Sequence, residues 1–171
     1  MNPLSRNYIF STLSAVIFTY GFHELGHWLA YYFMGYDATF SITSVKLLNP
    51  EFVLEGKELL LQNLAGPIFT LIQVFLFYFL IKNKSNKLIY PFILVPFIFR
   101  LLAGIVFRNQ PIDEGSISFL FEWSSNLGFI IMLTILGLLC YKTTRSVCIT
   151  KNMNFVTSLI TLGGIIILYY I

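Results

Sequence analysis

The chain has 171 residues, of which 57% are hydrophobic and only 11% charged, and a formal net charge of +3. So few charges cannot clothe a water-soluble globule, and so small a net charge gives no electrostatic footprint for nucleic acid. The composition predicts an all-α integral membrane protein of about five transmembrane helices, one domain over residues 1–171, multi-pass in the cell membrane with the lipid bilayer as its immediate partner. Eighteen Phe and ten Tyr suit lipid-facing surfaces and interfacial belts.

Arg6 followed by an apolar stretch from Tyr8 to Phe22 has the outline of a secretory leader. No small-x-small cleavage site precedes residue 23, so a retained first span from about Tyr8 to Met34 is expected, stopping at Gly35. Its second half carries His23-Glu24-Leu25-Gly26-His27, which contains the only two histidines of the chain. Residues four apart on a helix differ by about 40° around the axis, so both imidazoles share one face and can grip one metal ion. Glu24 lies beside them, placed to take a proton from activated water. The alternative is a polar patch packed between spans, but ionisable groups at membrane depth are costly and usually functional. With Gly35 as the stop, His27 lies about 10 Å from the end of its helix and so near one membrane face.

Between residues 36 and 58, Thr39, Ser41, Thr43 and Val45 alternate with Phe40 and Ile42 ahead of an Asn49-Pro50 turn signal. This predicts a short interfacial β-hairpin, with a polar loop as the alternative. A second span from about Leu59 to Ile81 holds Asn63-Leu64-Ala65-Gly66-Pro67 near its start. Gly66 permits close backbone approach, and Pro67 frees a carbonyl one turn earlier, which is tolerated only beside protein or a wet cavity.

The third span, about Leu88 to Phe107, contains Pro91, Pro96 and Arg100. An arginine there is expected to face the bundle and pair with a carboxylate or freed carbonyls, or else to snorkel. Asn109 to Gly115 is a polar turn, a fourth span follows from about Ile117 to Tyr141, and a basic linker at 142–153 leads to a fifth from about Phe155 to Ile171. Cys140 and Cys148 form no CxxC pair and imply neither a disulfide framework nor a zinc knuckle.

A catalytic zinc site takes three protein ligands, and both histidines are already used, so the third must be Asp, Glu or Cys. The HExxHxxGxxH pattern is excluded by Phe33, and an acid from a following helix would have to stand near Lys46, where there is none. Glu51, Glu55 and Glu58 read as solvated charges of the interfacial loop. Asp113 and Glu114 remain, and counting spans returns both to the membrane face that His27 approaches.

His23 to His27 in a first span, Ala65-Gly66-Pro67 opening the second, and Pro111-Ile112-Asp113-Glu114-Gly115 after the third resemble, in order, the three signatures of the site-2 protease family of intramembrane zinc metalloproteases. The likeness covers about residues 15–125. It implies Zn2+ held by His23, His27 and Asp113, with Glu24 as catalytic base and a transmembrane or membrane-associated protein as substrate. Asn63, Gly66, Pro67 and Asn109 are the candidates for positioning that substrate. The chain departs from the family pattern at Thr70, where an asparagine is usual, and at Glu114, where a glycine is usual. No peptide-binding domain of the kind found in larger members is expected.

These readings converge on a zinc-dependent endopeptidase working within or near the bilayer, in which the strand at 36–58 pairs with an extended substrate by edge addition. The rival is a non-catalytic membrane zinc protein, a sensor or scaffold. A transporter fits poorly, because the chain shows no repeat and a single polar cluster. Basic residues number seven on the N-terminal side (Arg6, Lys82, Lys84, Lys87, Lys142, Arg145, Lys151) against three on the other (Lys46, Lys57, Arg108), which places the N-terminus in the cytoplasm. The family resemblance implies the opposite orientation, with the site near the cytoplasmic face.

Overall fold

The computed structural model describes residues 2–49, 51, 53–84, 86–106, 113 and 127–170. Helix α1 (Arg6–Met34) contains no proline and stops at Gly35, which takes a left-handed φ of 82°. The Gly35 N–H returns to Tyr31 and Tyr32 carbonyls, and Tyr36 N–H donates to the Tyr31 carbonyl at 3.0 Å, closing the helix end. Strands β1 (Ala38–Phe40) and β2 (Val45–Leu47) then form the expected antiparallel hairpin, with Ala38 opposite Leu47 and Phe40 opposite Val45. Its turn differs from the expected Asn49-Pro50. Ser41 to Ser44 make it instead, because the Ser41 hydroxyl accepts the Ser44 N–H at 3.0 Å while the Ser41 N–H donates to the Ser44 carbonyl at 2.9 Å. The Trp28 indole N–H donates to the Ala38 carbonyl at 3.2 Å and docks the hairpin on α1.

Helices α2 (Gly56–Lys84), α3 (Pro91–Val106), α4 (Leu127–Ser146) and α5 (Lys151–Tyr170) follow, with a single 3₁₀ turn at Lys87–Ile89 ahead of α3. At their basic ends α1, α2, α4 and α5 run past the expected apolar bounds, because long side chains there reach polar surroundings without breaking the helix, whereas α3 falls within its expected bounds behind the 3₁₀ turn. The basic linker therefore shrinks from 142–153 to 147–150. Asn109 and Glu114 lie outside the described residues.

Four helical stretches from α2 to α5, the second beginning at the 3₁₀ turn, are long and apolar enough to cross a membrane, as expected of a multi-pass membrane protein. The expectation of five is not met in full: α1 has 29 residues but is not among the four, its hydropathy diluted by threonines, tyrosines and the His-Glu-His segment. The distribution of side chains is inverted relative to a soluble protein. Phe10, Phe33, Phe79, Ile105 and Phe155 are exposed, whereas Thr12, Thr19, Asn63, Gln73, Arg100, Thr143 and Thr157 are buried. Buried polar groups require partners. Pro96 cannot donate to the Phe92 carbonyl, and the Gln73 amide fills that gap at 3.2 Å while donating to the Thr19 hydroxyl at 2.9 Å.

The main apolar core, including Tyr8, Ile81, Tyr90, Ile93, Leu136 and Met153, gathers the start of α1, the end of α2, the start of α3, the end of α4 and the start of α5. Tyr8 donates to the Thr157 hydroxyl at 2.7 Å and Lys87 to the Cys148 carbonyl at 3.0 Å at this same end. The seven basic residues named above belong to these helix ends. At the opposite end α1 and α2 approach closely: a Cβ on Gly26 would stand 2.6 Å from the Ala65 carbonyl oxygen. That crossing, not a large core, sets the spacing of the two helices where the histidines lie.

The gathering of positive charge at one end predicts that this end is cytoplasmic. A reporter fused after Ile171, beyond the other end of α5, is expected to be active only outside the cytoplasm; cytoplasmic activity would reverse the orientation.

Candidate metal centre

α1 presents His23 and His27 one turn apart toward α2, and their Nε2 atoms stand 3.1 Å from each other. Asp113 brings Oδ2 to 3.2 Å from His23 Nε2 and 3.5 Å from His27 Nε2. The expected third ligand is thus at the histidines. Ligands about 2.0–2.1 Å from a tetrahedral zinc are separated by roughly 3.3 Å, so this triangle has the size the ion demands. It is the one group of three such side chains among the described residues able to hold a metal.

Hydrogen bonding fixes what each ring can offer. His27 Nδ1 lies 2.8 Å from the Gln62 carbonyl oxygen, which only accepts, so Nδ1 carries the proton and Nε2 a lone pair. The Gln62 amide nitrogen is also near this atom, at 3.3 Å, but the carbonyl contact is shorter and decides the tautomer. Thr70 spends its hydroxyl proton on the Gly66 carbonyl at 3.1 Å. Its oxygen lies 3.0 Å from His23 Nδ1, and the Arg100 Nη2 donor stands 2.7 Å from that same nitrogen, so Thr70 and Arg100 both hold this ring. The two Nε2 atoms and the Asp113 carboxylate oxygen converge on one spot, where Arg100 Nη2 also comes within 2.9 Å of His23 Nε2 and 3.2 Å of Asp113 Oδ2. The guanidinium supplies positive charge beside these groups, and their spacing suits a divalent cation held by the three side chains.

Gly66 explains why the spot is open. A Cβ there would fall on His27 Nε2 and His23 Cε1 and stand 2.7 Å from His23 Nε2, so any side chain would fill the position of the ion. Gly26 in the same motif lets the backbones close to this distance. Pro67 follows Gly66 within α2 and leaves the Asn63 carbonyl without its helical donor. Asn63 itself is buried and its Nδ2 has no partner among the described residues.

A cavity of about 600 Å³ opens on the three ligands, and its walls include Glu24, Gln62, Tyr20, Phe99, Arg100 and the hairpin residues Thr43, Ser44 and Val45. Glu24 therefore reaches the same space as the ligands, and the hairpin turn stands over it. Neighbouring Gln62, and not Asn63, lines this space. Arg100 is buried and its Nη2 donates to Asp113 Oδ2 at 3.2 Å, the carboxylate partner anticipated for an arginine at this depth. Burial alone would raise the Asp113 carboxyl, but its contacts with His23 and His27 and the Arg100 charge hold it well below the usual carboxylate range.

Gln62 and Thr70 had no signal of their own in the sequence. Thr70 stood out only as a departure from a family pattern, whereas its place is that of an outer-shell partner holding a histidine. An HExxH motif on one helix does call for Nδ1 acceptors on the helix packed against it, and Thr70, one turn beyond Gly66, was the available hydroxyl. No family model, curated protein or solved structure matches the chain, so the reading of this site rests on its own geometry.

Replacing Gly66 by Ala is expected to abolish zinc binding, measured by equilibrium dialysis of the detergent-solubilised chain, with helical content retained. Gly26→Ala is expected instead to cost about 1–3 kcal/mol of stability by overpacking the α1–α2 crossing, read by thermal unfolding. Unchanged zinc binding in Gly66→Ala would contradict the geometry.

Proposed function

We propose that the chain is a zinc-dependent endopeptidase acting on membrane or membrane-associated proteins, of the site-2 protease type that its motifs resemble. The observation carrying this reading is the convergence of two imidazole Nε2 atoms and a carboxylate oxygen within 3.1 to 3.5 Å, in a cavity that also admits Glu24. His23, His27 and Asp113 would hold the ion. When bound, zinc supplies Lewis acidity to polarise a carbonyl and to activate water near neutral pH.

The remaining chemistry belongs to the chain. Glu24, on the motif's own helix and half-buried, takes the proton of the attacking water and later returns it to the leaving amine, so no external acid is needed. The Gln62 carbonyl holds His27 in the tautomer that leaves Nε2 free, and Thr70 holds the His23 ring from α2. A helical substrate hides its carbonyls in its own hydrogen bonds and must unwind before cleavage. Among the described residues β2 pairs with β1 alone, and Val45 at its start borders the cavity, so an extended substrate added to the other edge would run past the ligands.

A second reading, a zinc-binding membrane sensor or scaffold without turnover, is favoured by Thr70. Its hydroxyl is engaged on both sides, by Gly66 and His23, and is not available to a substrate. The two readings part on catalysis, since both expect bound metal.

Glu24→Gln is expected to retain zinc and lose cleavage of a membrane-embedded peptide by about 10²–10⁴-fold. Chelation of the wild type should stop cleavage and added zinc restore it. Equal cleavage by wild type and Glu24→Gln would sink the enzyme assignment, and bound zinc without any cleavage would favour the sensor.

A further inference from the structure

We propose that Arg100 is the positioning residue of the third metal ligand, holding Asp113 against the two histidines; this rests on the metal-site reading above. The three ligands are not equivalent in how the fold secures them. His23 and His27 sit on one helix, and each is fixed from α2, by Thr70 and by the Gln62 carbonyl. Asp113 comes from another part of the chain, between α3 and α4, and neither of those α2 partners reaches it. Its outer partner is Arg100 on α3, whose Nη2 meets Oδ2 at 3.2 Å, the same oxygen that faces both Nε2 atoms.

The same Nη2 lies 2.7 and 2.9 Å from Nδ1 and Nε2 of His23. Arg100 therefore bridges the His23 ring and the Asp113 carboxylate and ties the third ligand to the first. The guanidinium also stands over the Phe99 ring, with Arg100 Cζ 5.4 Å from the ring centroid. A cation buried in this cavity adds positive charge beside the metal position, which on electrostatic grounds weakens metal binding. The arrangement is intelligible when that cost is outweighed by fixing a carboxylate that has no helix of α1 to stand on.

The test is zinc affinity of the full-length chain in detergent, by competition with a chromogenic chelator, together with the rise in unfolding temperature that saturating zinc produces over chelator. Loss of an outer-shell partner typically costs 10–100-fold in metal affinity, and that loss is expected for Arg100→Gln, with the zinc-dependent temperature rise shrinking toward that of Asp113→Ala. A merely structural arginine would lower the unfolding temperature in chelator and leave the zinc-dependent rise intact, which overturns the proposal. Arg100→Lys keeps the charge without the planar fork and should fall between the two; if Arg100→Gln does not fold, a loss of about threefold or more in Arg100→Lys supports the proposal and unchanged affinity overturns it. A wild-type chain that binds no zinc overturns the metal reading and this inference with it, whereas tight zinc in both wild type and Arg100→Gln removes only the role of Arg100.

Discussion

Two imidazole nitrogens 3.1 Å apart, with a carboxylate oxygen 3.2 and 3.5 Å from them, form the constraint on which the site depends. So close a convergence of potential ligands calls for positive charge, and the chain commits several unrelated features to producing that convergence. The helical spacing of His23 and His27 puts the rings on one face. The Gln62 carbonyl holds His27 from α2, and Thr70 and Arg100 hold His23. Gly26 and Gly66 remove the side chains that would hold α1 and α2 apart or fill the gap. Asp113 closes the triangle from a different segment. Each is a weak statement alone, and their agreement at one point is what gives the site its meaning.

The surroundings follow from the same placement. The outer faces of the helices are apolar and the interior carries threonine, glutamine, histidine and arginine, an inversion suited to lipid outside and polar chemistry within. Among the described residues the main apolar core sits at the basic end, and the cavity bordered by the hairpin turn lies at the site end. Proline inside helices is part of this economy: Pro96 gives up a donor to the Phe92 carbonyl, and Gln73 supplies it from α2.

Much of this was legible in the residues. The His-Glu-His spacing needs only helical periodicity, Gly35 is a helix stop by its missing Cβ, and an arginine buried at Arg100 asks for a carboxylate, which Asp113 provides. The alternation around Phe40 foretold a hairpin. Its turn was misplaced because Asn49-Pro50 is the louder signal, whereas a serine closing a turn with its own hydroxyl has little composition to announce it. The helix ends ran long because apolarity marks where lipid would begin, not where helical hydrogen bonding stops. Thr70 was visible as a departure but its role was not, since a partner for a histidine is defined by which helix packs against which.

Whether His23, His27 and Asp113 bind one zinc ion is decided by X-ray absorption at the zinc edge of the purified chain. One zinc per chain is expected, coordinated by nitrogen and oxygen at about 2.0–2.1 Å, with two imidazoles and no sulfur. A chain that carries no metal, or a spectrum with a sulfur ligand from Cys140 or Cys148, would contradict it.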